Sequence, residues 1–271
     1  MGDGQEIAQA LCDIDAEMKA PQKTVLITGA AKRIGRQLAL DQADSGYDIA
    51  VHCHTSRAEA EIVAQEIAKK GRRVIVVQGD LADVKTPERL IAEVAHALGP
   101  LTTLINNASI FQPDEVGGIS PESWSTHQDT NLRAPIMLAQ AFAEALPDDL
   151  HGNIINIIDQ RVWKLNPRFF SYTMSKTGLW TATRTLAQAL APRIRVNAIG
   201  PGPALPSIRM DQREFDKQAR LTLLGRGTSP AEISEAVKFI LSQPALTGQM
   251  IALDGGQHLV WQTPDIVEVN E

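Results

Sequence analysis

The sequence predicts a single α/β domain: a parallel sheet of seven strands, doubly wound, with helices on both faces. Three observations lead there. Short apolar runs rich in Val, Ile and Leu alternate along the chain with longer segments of helical period, as in a parallel sheet with crossover helices. The first run leads directly into a glycine-bearing turn and a helix, the geometry that lays a phosphate on a helix N-terminus. No repeat, low-complexity tract or linker divides the 271 residues into smaller units.

Composition narrows the function classes. A hydrophobic content of 44% and a charged content of 21% are those of a globular protein. The net charge of -6 argues against a broad nucleic-acid surface and gives no hint of an anionic membrane partner. No apolar run approaches a membrane span, and Met1 to Lys19 is acidic without the apolar core of a secretory signal. Cys12 and Cys53 stand far apart, outside any C-x-x-C, which fits a reducing cytoplasm without disulfides. A cytoplasmic location is the expectation.

Residues 1–21 form an N-terminal extension. There Ile7, Leu11, Ile14 and Met18 are spaced for a short amphipathic helix, the alternative being a frayed acidic segment. The domain spans 22–258, and an acidic tail follows over 259–271. Thr24–Thr28 is the first strand, ending in Gly29-Ala-Ala-Lys-Arg-Ile-Gly35 and a helix through Leu38 and Ala43. Gly29 permits the tight turn and Gly35 a close helix–sheet approach, while Arg33 occupies the usual middle-glycine position. Asp48–His52 is the second strand. An acidic residue at its end would hold ribose hydroxyls. His54, Thr55, Ser56 and Arg57 stand there instead, chemistry suited to a 2′-phosphate and hence to NADP. His52-x-His54 lacks a third ligand for a metal site.

A helix over Ala58–Lys70 precedes strand Val74–Gln78. Asp80 and Leu81 follow it, Asp80 either accepting from an adenine amino group or capping the turn. After helix Pro87–Leu98, strand Leu101–Ile105 runs into Asn106-Asn107-Ala108-Ser109, amides that can tie strands together or bond a ribose. Phe111 lies where an aromatic can cover a flat ligand. Asn131 sits in a long helix reaching Leu146, interrupted near Pro135. An asparagine there can bend the helix or bind a water by its backbone.

In the stretch Asn153–Lys176, Ile154–Ile158 reads as a buried strand ending at Asp159. Tyr172 and Lys176 then share one helical face, one turn apart. An ammonium beside a phenol favours the phenolate and so lowers its pKa, preparing it as a general acid or base at a carbonyl, alcohol or imine. Arg193–Ile199 is the sixth strand, ending in Gly200-Pro201-Gly202-Pro203. Over Ala204–Leu224 the pattern weakens as in a mobile flap. Helix Pro230–Leu241 and strand Gln249–Leu253 complete the domain.

Thr28-Gly29 with Gly35, Asn106-Asn107-Ala108, Asn131, Tyr172-x-x-x-Lys176 and Pro201-Gly202 together resemble the short-chain dehydrogenase/reductase family, over about residues 22–258. Within it the chain looks most like the pteridine reductases. Arg33 in the glycine loop, His52-x-His54 with Ser56, Phe111, and Asp159 where most of the family has serine are the similar features. Thr55 stands where those enzymes usually have arginine. The resemblance implies a Rossmann-type fold, a homotetramer, and NADPH held by Gly29, Arg33, Ile34, Gly35, His54, Thr55, Ser56, Asp80, Leu81, Asn107, Ala108, Ser109, Tyr172, Lys176, Pro201 and Gly202. It implies a small pterin or folate-like substrate against Arg33, Phe111, Asp159 and Tyr172. Tyr172 would supply the proton, Lys176 would lower its pKa, and Asn131 would hold a water of the relay. A ketone or 3-oxoacyl reductase of the same family is the alternative reading, and a non-catalytic NADPH-binding regulator is another.

Overall fold

The computed structural model describes residues 23–207, 209–263 and 266. The helical spacing of Ile7 to Met18 lies outside them. The seven predicted strands form: β1 (Thr24–Ile27), β2 (Asp48–Cys53), β3 (Val74–Gln78), β4 (Thr103–Asn106), β5 (Gly152–Ile157), β6 (Ile194–Pro201) and β7 (Met250–Leu253). They make one parallel sheet in the order β3-β2-β1-β4-β5-β6-β7.

Alternate strand residues feed two cores, because successive side chains leave opposite faces of a strand. Val25, Ile27, Ile49, Val51, Ile105 and Ile155 pack on one face against helices α1 (Arg33–Asp44), α2 (Arg57–Lys69) and Pro230–Ser242. Leu26, Ala50, Leu104 and Ile154 pack on the other, with Leu90 and Val94 of α3 (Thr86–Leu98) and with Leu138 and Phe142. Each wholly buried Leu, Ile or Val contributes about 1.5–3 kcal/mol against exposure.

The helix expected to reach Leu146 is built in three pieces. α4 (Pro121–Gln128) starts at Ser120, whose hydroxyl accepts the Ser123 N–H at 3.0 Å. A wide π turn follows at Asp129–Arg133, and then α5 (Ala134–Ala145). Pro135 at the start of α5 has no N–H to give to the preceding turn, which accommodates the break. α6 (Phe170–Leu190) carries Tyr172 and Lys176. The segment expected as a flap contains a helix, α7 (Gln212–Arg220), with no buried residue. Asp211 caps it by accepting the Glu214 N–H at 2.8 Å, a local signal strong enough to form a helix without an apolar face. α8 (Pro230–Ser242) completes the set. No helix among the described residues is long and apolar enough to cross a membrane.

The chain leaves β3 at one edge and returns beside β1, so β1 and β4 diverge at a switch point where ligands bind in such sheets. Their carboxyl ends are fastened by Thr28, whose Oγ1 accepts the N–H groups of Asn107 (2.9 Å) and Ala108 (3.0 Å). Asn107 Nδ2 donates back to the carbonyls of Thr28 (2.8 Å) and Gly29 (3.2 Å).

His52 fastens the other side of the glycine turn. Its Nδ1 accepts the Gly29 N–H at 3.1 Å, while Nε2, 3.1 Å from the Gly79 carbonyl, must donate. The ring is therefore neutral with its proton on Nε2. Burial lowers its pKa to about 4. A neutral buried ring stabilises the fold above pH 6.5, and this contribution is lost as pH falls toward 4, by on the order of 3 kcal/mol. Urea unfolding of wild type and His52→Gln should therefore show a stability difference that shrinks from pH 7 to pH 4. A difference independent of pH would show that the ring does not titrate in that window.

Candidate active site

At the carboxyl ends of β4, β5 and β6 lies a cavity of about 800 Å³, and beside the glycine turn a second of about 420 Å³. Asp159, Tyr172, Lys176, Phe111, Pro201 and Gly202 line the first. Gly29, Gly35, His54, Asp80, Leu81 and Ala108 line the second. Arg33, Ile34, Asn107 and Ser109 line both. The two cavities together bring most of the sequence-predicted site residues to one edge of the sheet.

Asp159 lies two residues past the end of β5 and starts a single 3₁₀ turn, Gln160–Val162. One carboxylate oxygen accepts the Arg161 N–H at 2.8 Å, and the other accepts the Tyr172 hydroxyl at 2.9 Å. Burial raises the pKa of Asp159, opposed by the Arg161 N–H and charge, the phenol and Lys176. Tyr172 lies well above its ordinary value, first through burial and then through the Asp159 charge and hydrogen bond.

The sequence expectation that Lys176 lowers the tyrosine pKa is therefore corrected. The Lys176 ammonium donates to the Ile157 carbonyl at 2.8 Å and stands 5.8 Å from the centre of the Tyr172 ring. Burial brings its own pKa down to about 8. Helical spacing placed both groups on one face, but burial first, and then the nearer carboxylate, raise the phenol's pKa.

Asn131 sits in the π turn, fully buried. Its Oδ1 accepts the Ile110 N–H (2.8 Å) and Ser109 hydroxyl (3.3 Å), and its Nδ2 donates to the Ile110 carbonyl (2.8 Å) and Ser175 Oγ (3.1 Å). The side chain thus clamps the loop after β4 to α6. A polar ladder does the same deeper down, from Asn106 to Asn156 (2.8 Å) to Thr183 (2.9 Å).

Three further contributors were not singled out from sequence. Asp114 accepts the Ser171 N–H (2.9 Å) and the Ser123 hydroxyl (2.8 Å), so it caps the helix that carries Tyr172. Phe169, at φ 57°, stacks on Phe111 with ring centres 4.2 Å apart and planes 9° from parallel. Phe111 also meets Tyr172 edge-on at 4.7 Å. Lys32 lines the smaller cavity and pairs with Glu59 at 2.7 Å. Arg57 is engaged by Glu61 at 2.8 Å, and Thr55 and Ser56 are not among the cavity's lining, whereas Lys32 and His54 are. Only the i, i+4 spacing of Arg57 and Glu61 announced that pairing.

The glycine turn suits a dinucleotide. Gly29 has φ 64°, and a Cβ on Gly35 would lie 2.2 Å from the Gly29 carbonyl, so helix and turn touch without side chains. Lys32, the residue before α1, makes no side-chain cap, leaving the helix's first N–H groups for an anion.

Fold and site together define an oxidoreductase of the short-chain type, and the chain belongs to the short chain dehydrogenase family, whose pattern it matches over residues 23–217. The 3-oxoacyl-[acyl-carrier-protein] reductase of Staphylococcus aureus is 32% identical over 88% of this chain and 98% of its own length. Among solved structures, the FolM alternative dihydrofolate reductase 1 of Brucella suis, in complex with NADP, is 48% identical with a TM-score of 0.88, over 92% of this chain and all of that one. Its counterpart from Brucella canis, also complexed with NADP, is 50% identical with the same TM-score, over 92% of this chain and 98% of that one.

Losing both Asp114 bonds should destabilise the fold by about 1–3 kcal/mol and loosen the first turn of α6. Asp114→Ala is expected to lower the unfolding midpoint and the turnover number together. A variant with full turnover would show that Tyr172 is positioned without this cap.

Proposed function

We propose that the chain is an NADPH-dependent reductase of a dihydropterin or of dihydrofolate. The observation that carries this reading is the hydrogen bond from Tyr172 to a carboxylate, Asp159, inside the larger cavity. NADPH, bound along the glycine turn by Gly29, Lys32–Gly35, His54, Asp80, Leu81 and Asn107–Ser109, would supply a hydride to a ring carbon. Pro201 and Gly202 would flank its nicotinamide end, and Lys176 its ribose. The Brucella enzymes, bound to NADP and named as dihydrofolate reductases, support both halves of the proposal.

The residues present account for the proton. Tyr172 keeps its hydrogen at neutral pH because burial and Asp159 both oppose the phenolate. It therefore serves as donor to the ring nitrogen of a C=N bond, completing addition of one hydride and one proton. Asp159 holds that phenol and accepts from a pterin N–H. Phe111 offers an aromatic wall for a flat ring. Lys176, still mostly an ammonium at neutral pH with a pKa of about 8, steadies the negative charge left on Tyr172 as the proton leaves.

The Staphylococcus relative favours a second reading, reduction of a 3-oxoacyl ketone. A carboxylate is poorly placed for that, since it repels the oxyanion that develops at a ketone. Asp159→Ser should lower pterin reduction by about 10²–10⁴-fold, the size of a lost acid/base partner, while NADPH still binds. Wild-type turnover of ketones but not pterins, with Asp159→Ser harmless, would replace the pterin reading with the ketone one.

Cofactor choice is expected to rest on Lys32 and His54. NADPH should bind more tightly than NADH, and Lys32→Ala should cost about 1.5–3 kcal/mol of NADPH affinity with little effect on NADH. Fluorescence titration with both nucleotides measures this. Equal losses for the two would remove Lys32 from 2′-phosphate recognition.

A further inference from the structure

The charge lining the larger cavity is lopsided in a protein of net charge -6. Asp159 is the one carboxylate among the lining residues, and Tyr172 and Arg161 already engage it. Against it stand Lys176 and the guanidinium groups of Arg33, Arg161, Arg168 and Arg209. Elsewhere arginines are commonly matched: Arg36 with Glu66, Arg73 with Asp48, Arg89 with Glu93, Arg133 with Asp129 and Arg226 with Glu232. The four cavity arginines have no carboxylate at ion-pair distance among the described residues. Three of them, Arg161, Arg168 and Arg209, are also absent from the lining of the cavity beside the glycine turn, which Arg33 shares.

These three gather around the aromatic pair. Arg209 lies with its guanidinium carbon 5.4 Å from the Phe111 ring centre and 5.9 Å from that of Phe169, and it donates to the Phe111 carbonyl. Arg161 stands 5.4 Å from the Phe169 ring centre. Its Nη1 bonds Asn166 Oδ1 (3.0 Å) and the Arg168 carbonyl (3.4 Å), which ties Arg161 and Arg168 into one loop. Its Nε is buried with no hydrogen-bond partner. A buried guanidinium donor left unsatisfied is costly, and a carboxylate is the acceptor that planar guanidinium groups match best.

We propose that Arg161, Arg168 and Arg209 form a subsite for the carboxylates of a substrate's side chain. The substrate class is then a dihydropterin with an aromatic, anionic tail, as dihydrofolate has in its benzoyl-linked glutamate, in preference to one with a short neutral tail. This rests on the pterin reading of Asp159 and Tyr172. The faces that Phe111 and Phe169 do not cover on each other suit the benzoyl ring, and the guanidinium groups near them suit the charges beyond it. Carboxylates of a tail and phosphates of the cofactor share the same chemistry, so the two sources have to be separated by experiment.

The measurement is kcat/KM for dihydrofolate and for 7,8-dihydrobiopterin with wild type, Arg168→Gln, Arg209→Gln and the double variant. NADPH affinity of each, and calorimetric binding of p-aminobenzoyl-glutamate to the NADP-loaded protein, complete it. Each single change should lower the dihydrofolate-to-dihydrobiopterin ratio by about tenfold or more, and the double variant further. Binding of p-aminobenzoyl-glutamate should weaken in parallel and fade with added salt. A ratio unchanged in the double variant overturns the subsite and leaves the pterin reading standing. So does a loss that appears equally in NADPH affinity, which assigns the arginines to phosphate. Arginine-dependent binding of p-aminobenzoyl-glutamate without turnover of either pterin supports the subsite and sinks the pterin-reductase reading instead.

Discussion

The junction of Thr28 and Asn107 holds together β1 and β4, whose carboxyl ends border both cavities. A parallel sheet diverges at its switch point, and the backbone groups there have no neighbouring strand to pair with. One hydroxyl takes two N–H groups and one amide returns two bonds, so the ends of β1 and β4 are fixed at the point of divergence. His52 adds a brace from the far side of the glycine turn. Gly35 completes the arrangement from above, because the turn and α1 are too close for a Cβ. The two cavities are thus two sides of one rigid edge.

Within that edge the electrostatics are set by burial more than by the ammonium. Tyr172 is held as a phenol, Asp159 is drawn toward sharing its proton, and Lys176 is eased toward neutrality. Desolvation acts on all three in the direction that disfavours charge. The hydrogen bond between phenol and carboxylate lets Asp159 remain useful as an acceptor.

The clamps on α6 explain how this geometry is kept. Asn131, Asp114 and the ladder from Asn106 through Asn156 to Thr183 each join α6 to a different neighbour. The wide turn holding Asn131 is the one break in a long helical run, and Pro135 follows it where a missing N–H does least harm. Polar residues here act as fasteners, since an unpartnered group in the same places would cost about 1–3 kcal/mol.

Local order was legible in the sequence. Strand and helix periods, glycine turns and the four-residue spacing of Tyr172 and Lys176 depend only on backbone geometry and side-chain repeat, so the seven strands and their carboxyl-end motifs could be read from the chain. The helix at Gln212–Arg220 was missed, although Asp211 and Glu214 mark its start, because few apolar residues follow them. What only the tertiary structure decided were the partners. Asp159, two residues past β5, takes the phenol's hydrogen bond, while Lys176 turns to the Ile157 carbonyl. Arg57 pairs with Glu61 and Lys32 with Glu59, of these two cations Lys32 alone lining the smaller cavity, and Phe169 lies on Phe111 although the two are 58 residues apart. Period and spacing say which way a residue faces along its own element. Which charge stands nearest, and how much water lies between, is settled only when elements distant in the chain are packed together.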